Sequence, residues 1–233
     1  MNDFIEKVLK HERNGNSKLI IFSHGFGVRW DSRGLFTELM ANIKGFDFIC
    51  FDYVDTDTKG HTYVKSVLEQ KEQYLRALEL AKTGNYGEVN ILSHSFGIVV
   101  PSLVDNKEIF KFIAIAPPPK VSKEKQIEML MSKNGGNLNI NGYTELPRSD
   151  GSKTYVDYGF YKSLEGIDIP ELFKLNSAKK KSLIIANNDE VVDHDYSAFM
   201  NNPEIEIIRL DGNHNFGNEY RVGLVAEIIR LLG

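Results

Sequence analysis

The sequence predicts an α/β fold, a mostly parallel, doubly wound sheet flanked by helices, with one small insertion. Three observations lead there. Six short apolar runs recur along the chain, most of them continuous rather than alternating in polarity. Strands buried on both faces of a parallel sheet read that way. Helical patterns fall between the runs, and strand–helix–strand alternation implies right-handed crossovers and an open sheet. The 233 residues, 42% hydrophobic and 26% charged, suffice for one sizeable core without metal or disulfide support.

The expected strands are residues 19–23, 48–52, 89–93, 112–116, 183–186 and 205–210. Between the second and third, residues 63–82 carry Val64, Val67, Leu68, Lys71, Leu75, Leu78 and Ala81 at helical spacing, with Gly84 as the stop. Residues 35–43 and 95–105 are shorter helix candidates. The last helix, 219–232, places Leu224, Val225, Ile228, Ile229 and Leu232 on one side.

Residues 117–175 break the rhythm. The segment opens with Pro117-Pro118-Pro119 and contains an amphipathic stretch at 121–132. The turn signals Asn134-Gly135-Gly136-Asn137, Asn141-Gly142 and Asp150-Gly151 follow. Ile140, Tyr143, Leu146, Tyr155, Tyr158, Phe160 and Tyr161 supply side chains prone to burial. The expectation is an inserted helix with short strands lying over the sheet edge, within one domain spanning 1–233.

Composition excludes several classes. Net charge is −4, which leaves no basic footprint for nucleic acid. The single cysteine, Cys50, forms no intramolecular disulfide and sits in an apolar strand run. No apolar stretch approaches a membrane span, and the first residues lack a basic segment leading into an apolar core. A cytoplasmic monomer or homodimer is expected.

Four motifs carry chemistry. Ser93-His94-Ser95-Phe96-Gly97 follows one predicted strand and opens a helix. A nucleophile elbow needs that context, with small residues where strand and helix approach. Ser95 is the central serine and Gly97 the small residue two after it; Ser93 stands where glycine is usual. Ser23-His24-Gly25-Phe26-Gly27 follows the first strand of the six. Its turn is placed to aim a backbone N–H at a developing oxyanion, so the expected donors are Phe26 N–H and Phe96 N–H. Gly25-x-Gly27 also resembles a dinucleotide fingerprint, but Trp30 stands where the third glycine belongs. Asn187-Asn188-Asp189-Glu190-Val191-Val192-Asp193 follows the fifth strand. Asp189 is the candidate to orient an imidazole, with Asp193 as fallback. Asp211-Gly212-Asn213-His214 follows the sixth strand and offers His214 as general base. Each motif lies just beyond a strand's carboxyl end, where open α/β sheets build their sites.

On these motifs the sequence resembles the α/β-hydrolase superfamily, and the order Ser95, Asp189, His214 matches that family's triad. Within it, the chain resembles small bacterial carboxylesterases of the cinnamoyl/feruloyl type. Those enzymes pair His-Gly-Phe after the first central strand with a lid inserted before the acid, and residues 117–175 match that lid. The resemblance implies a serine carboxylesterase acting on a small-molecule ester, with no cofactor, no metal and no membrane partner. A thioesterase or acyltransferase with the same triad, and a non-catalytic hydrolase-like binding protein, are the alternatives. His194 and His61 read as solvated loop histidines and His94 as a packed residue. Trp30 and the aromatic residues of the insertion are candidates to line a pocket.

Overall fold

The computed structural model of the chain describes residues 4–133, 137–148 and 150–233. In chain order the elements are β1 (Phe4–Ile5), β2 (Leu9–Glu12), β3 (Lys18–Ser23), α1 (Leu35–Asn42), β4 (Asp47–Phe51), β5 (Asp55–Asp57), β6 (Thr62–Val64) and α2 (Val67–Thr83). Next come β7 (Glu88–His94), a 3₁₀ turn (Ser95–Ile98), α3 (Val99–Ser102), β8 (Ile109–Ile115) and α4 (Lys123–Lys133). The chain ends with β9 (Tyr143–Pro147), β10 (Lys153–Asp157), α5 (Tyr158–Lys162), α6 (Ile169–Leu175), β11 (Lys180–Ala186), α7 (Ser197–Met200), β12 (Ile205–Leu210) and α8 (Tyr220–Leu232).

The main sheet has seven strands in the order β12-β11-β8-β7-β3-β4-β2. All neighbours run parallel except β2, which pairs antiparallel with β4 at the edge. All six sequence-predicted strands are present. Alternate residues divide between two cores, as a sheet covered on both faces requires. Ile20, Phe22, Phe48, Cys50, Leu92 and Ile184 pack with α1 and α8. Leu19, Ile21, Ile49, Phe51, Ile91 and Leu183 pack with α2, α3 and α6. Cys50 is fully buried, and that burial pushes its thiol pKa up to about 12.

From β3 the chain first steps to β4 on one side, then returns to β7 on the other. That reversal opens a crevice between the carboxyl ends of β3 and β7, the usual binding place in such sheets.

Three local expectations need correction. Tyr63 and Val64 belong to β6, and α2 begins at Val67, where Ser66 and Glu69 form a capping box. The buried stripe of α2 is Val67, Gln70, Tyr74, Ala77 and Ala81. Leu68 and Leu75 face solvent, because Tyr74 buries more area than either leucine and sets the rotation of the helix. On α8, Arg221 and Leu231 are buried, while Ile229 is exposed.

The insertion also departs from expectation. Its strands β9 and β10 form a hairpin whose turn uses Asp150-Gly151, but the hairpin does not stand alone. β10 pairs parallel with β6, giving a second sheet in the order β1-β5-β6-β10-β9. Thr62 Oγ1 donates to Gly27 O at 2.9 Å, so this sheet packs on the turn after β3, at the carboxyl end of that strand. Leu146, Phe160 and Tyr161 are buried, whereas Ile140 and Tyr143 are exposed. Asn134-Gly135-Gly136 lies outside the described residues. Among those described, no helix is long and apolar enough to cross a membrane.

Candidate active site

Ser95 sits at the end of β7 with φ 54°, a left-handed conformation rare for serine and costly unless the surroundings enforce it. Gly97 explains the enforcement. A Cβ there would lie 2.1 Å from Ser23 O and 2.7 Å from His24 O, so only glycine lets the turn pass β3 this closely. Ser23 Oγ then donates to Gly97 O at 2.6 Å and ties the two turns together. Ser93 is fully buried between Ser23 and Ala114, and its hydroxyl has no hydrogen-bond partner among the described residues.

The β3 turn approaches from the other side of the crevice. A Cβ on Gly25 would be 3.3 Å from Ser95 Cβ and 3.7 Å from Ser95 Oγ. His24 fixes this turn from beneath. Tyr53 N–H donates to His24 Nε2 at 2.8 Å, so the proton is on Nδ1, which donates to Gly25 O at 2.9 Å. Burial lowers the His24 pKa and keeps the ring neutral. Phe26 and Phe96 both line the cavity beside Ser95. Phe96 lies in the first turn of the 3₁₀ segment, where N–H groups lack acceptors within the helix.

His214, in the short loop between β12 and α8, faces Ser95. Its Nε2 is 2.9 Å from Ser95 Oγ, and its Nδ1 is 2.7 Å from Asp189 Oδ2. The carboxylate only accepts, so Nδ1 carries the proton and Nε2 is left to receive one from Ser95. Asp189 Oδ1 accepts from the N–H groups of Val191 and Val192 at 2.8 and 3.1 Å. Burial alone raises the Asp189 pKa, but the hydrogen bond and charge of His214, with the two amides, bring it below the usual carboxylate value. The acid is therefore ionised at neutral pH. Asp193, the fallback, lines the cavity but pairs with Lys125 rather than with His214.

Several contributors go beyond their sequence readings. His94 is buried, with Nε2 3.0 Å from His214 O and Nδ1 2.8 Å from Ser32 Oγ. A carbonyl only accepts, so Nε2–H donates to it and Nδ1 accepts from Ser32. Burial, and next the charge of His214, push the His94 pKa down to about 3. An imidazole that is neutral at neutral pH thus anchors the backbone of His214. Glu190 Oε2 accepts from His214 N–H at 3.2 Å. Arg148, from the hairpin, donates from Nε to Thr154 Oγ1 at 2.7 Å. Its Nη2 lies 3.4 and 3.3 Å from the carbonyls of Phe26 and Gly27. His194 donates to Asp189 O, and His61 Nδ1 accepts from Lys153 N–H, so neither is a free loop histidine. Trp30 packs near the α1 side of the core rather than in the cavity wall.

The cavity over Ser95 measures about 650 Å³. Phe26, Phe96, Met129, Leu146 and Pro118 give it apolar walls, and Arg33, Lys120 and Arg148 give it charge.

No family model and no curated protein matches the chain. Solved structures do. Est1E from Butyrivibrio proteoclasticus superposes with TM-score 0.68 at 15% identity, over 99% of this chain and 97% of that one. The chain has the α/β-hydrolase fold. The metagenome-derived lipolytic enzymes LipS and LipT give TM-score 0.70 at 13% identity, covering 97% of this chain and 96% of the matched one. A Paleococcus ferrophilus monoacylglycerol lipase gives 0.65 at 15% identity, with 98% of both chains covered. At such identities the shared feature is the fold.

Proposed function

We propose that the chain is a serine ester hydrolase, a carboxylesterase of small acyl or aryl esters, with Ser95, His214 and Asp189 as its triad. The observation that carries this reading is the unbroken relay Asp189 Oδ2–His214–Ser95 Oγ, with links of 2.7 and 2.9 Å, ending on a left-handed serine in a cavity wall. Strained backbone of this kind clusters at functional sites, and here it stands at the end of the relay.

Ser95 Oγ attacks the ester carbonyl carbon as its proton passes to His214 Nε2. The carbonyl oxygen becomes an oxyanion held by the N–H groups of Phe26 and Phe96. The tetrahedral intermediate collapses by breaking the bond to the alcohol oxygen, which takes the proton from His214. Water then loses a proton to His214 and attacks the acyl–Ser95 ester. Release of the acid returns that proton to Ser95. Asp189 holds the tautomer and balances the imidazolium charge throughout. No step draws on a cofactor.

Residues from α4 and the β9–β10 hairpin, among them Gln126, Met129, Leu146 and Arg148, close one side of the cavity. This supports reading residues 117–175 as a small lid within a single domain spanning 1–233. The test is hydrolysis of a p-nitrophenyl acetate, butyrate and octanoate series, with methyl ferulate, by wild type and Ser95→Ala. Turnover that disappears in Ser95→Ala is expected. Equal rates in the two proteins contradict the assignment. Competition between water and added alcohol then separates hydrolysis from acyl transfer.

A further inference from the structure

The cavity carries positive charge that its own acids do not answer. Arg33, Lys120, Lys125 and Arg148 line it, against Glu128 and Asp193, in a protein of net charge −4. Lys125 is paired with Asp193. Among the described residues, the arginines with ion pairs are Arg29, Arg221 and Arg230, so neither cavity arginine has one.

Arg148 is the more constrained of the two. Its Nε and Nη2 are engaged by Thr154 and by the carbonyls of Phe26 and Gly27, and Nη1 has no hydrogen-bond partner among the described residues. Burial, and next the nearby charge of Arg33, push its pKa down to about 10, with Asp150, which makes no ion pair with either arginine among the described residues, offsetting part of the shift. A partly buried guanidinium beside a like charge is stabilised by an anion, through charge-assisted hydrogen bonds.

Arg33 stands exposed at the rim, but its backbone is fixed. Ser32, Arg33 and Gly34 are all left-handed, with φ of 48°, 58° and 84°. Ser32 is buried and bonded to His94. Such strained runs persist where the surroundings over-determine them and cluster at functional sites.

We propose, on the serine-hydrolase reading above, that the ester taken by this site carries an anionic oxygen group, a carboxylate or a phosphate, bound between Arg33 and Arg148. Arg148 touches the same Phe26–Gly27 turn that faces Ser95, so a short chain separates the anion from the scissile carbonyl.

The test compares monoethyl adipate with ethyl hexanoate, which differ only by a carboxylate in place of a terminal methyl, and adds ethyl 5-phosphonopentanoate. Wild type is expected to favour one or both anionic esters by about tenfold or more in kcat/KM, the usual scale for a charge-assisted contact. The better of the two distinguishes carboxylate from phosphate. Arg33→Asn, which tolerates a left-handed backbone, is expected to bring the anionic-to-neutral ratio close to one. Turnover with no anionic preference, or a preference unchanged in Arg33→Asn, overturns the proposal and leaves the hydrolase reading standing. Calorimetric binding of the same esters to Ser95→Ala reads the anion site without catalysis. Selective binding of the anionic esters that Arg33→Asn abolishes, with no wild-type turnover, supports the anion site and overturns the hydrolase reading. No selective binding and no turnover overturns both.

Discussion

Replacing His94 by glutamine tests whether a neutral imidazole is built into the support of His214. The ring is buried, with its pKa pushed from 6.5 down to about 3. In the unfolded chain it titrates near 6.5. Its folded pKa lies below its unfolded one, so the unfolded chain takes up the proton first as pH falls. The stability this group contributes is therefore fully present above pH 6.5 and lost progressively as pH falls toward 3. Between pH 7 and pH 5 the linkage integral gives about 2 kcal/mol of lost stability from this residue alone. Buried His24 acts in the same direction, so some pH dependence remains in the variant. Glutamine keeps a donor for His214 O and an acceptor for Ser32, which isolates the titration from the packing. Urea unfolding at both pH values is the assay. His94→Gln should reduce the stability difference between pH 7 and pH 5 by about 2 kcal/mol. A pH dependence identical to wild type refutes the argument.

Other consequences follow from the same geometry. Gly97→Ala puts a methyl 2.1 Å from Ser23 O, so a thermal melt should show a loss of roughly 3 kcal/mol or failure to fold. Ser93→Ala removes a buried hydroxyl that has no partner among the described residues, and should raise stability by about 1 kcal/mol in a denaturant titration. Asp189→Asn removes the acceptor that sets the His214 tautomer; kcat should fall by roughly 10⁴-fold while the fold, followed by circular dichroism, is kept.

Much of this was legible in the chain. The six central strands are runs buried on both faces, and continuous apolarity betrays them. Ser95, Asp189 and His214 were readable because each stands just past such a strand, and their order along the chain was informative. The structure brings all three into hydrogen-bonding range. The second sheet was not legible. Asp55–Asp57 and Thr62–Val64 are three-residue strands, too short to show a periodicity; they pair with each other, and the pairing of Thr62–Val64 with Lys153–Asp157 is set by tertiary contact rather than local pattern. The face of α2 was misread for a related reason. Counting leucines ignores that one tyrosine, Tyr74, held by Asn106 at 2.9 Å, decides which side turns inward. Ser32 and Arg148 carry no motif, and His94, though inside the elbow motif and read as packed, gave no sign of its bond to the His214 carbonyl. Their importance comes from what they touch: the His214 carbonyl, the His94 ring and the Phe26–Gly27 turn.

The most direct test of the central assignment is covalent capture of the serine. Wild type, Ser95→Ala and His214→Ala would each be treated with a fluorophosphonate and analysed by intact mass and peptide mapping. One adduct on Ser95 in wild type is expected, absent from Ser95→Ala and strongly slowed in His214→Ala. No adduct on wild type, or labelling that survives in Ser95→Ala, contradicts the account.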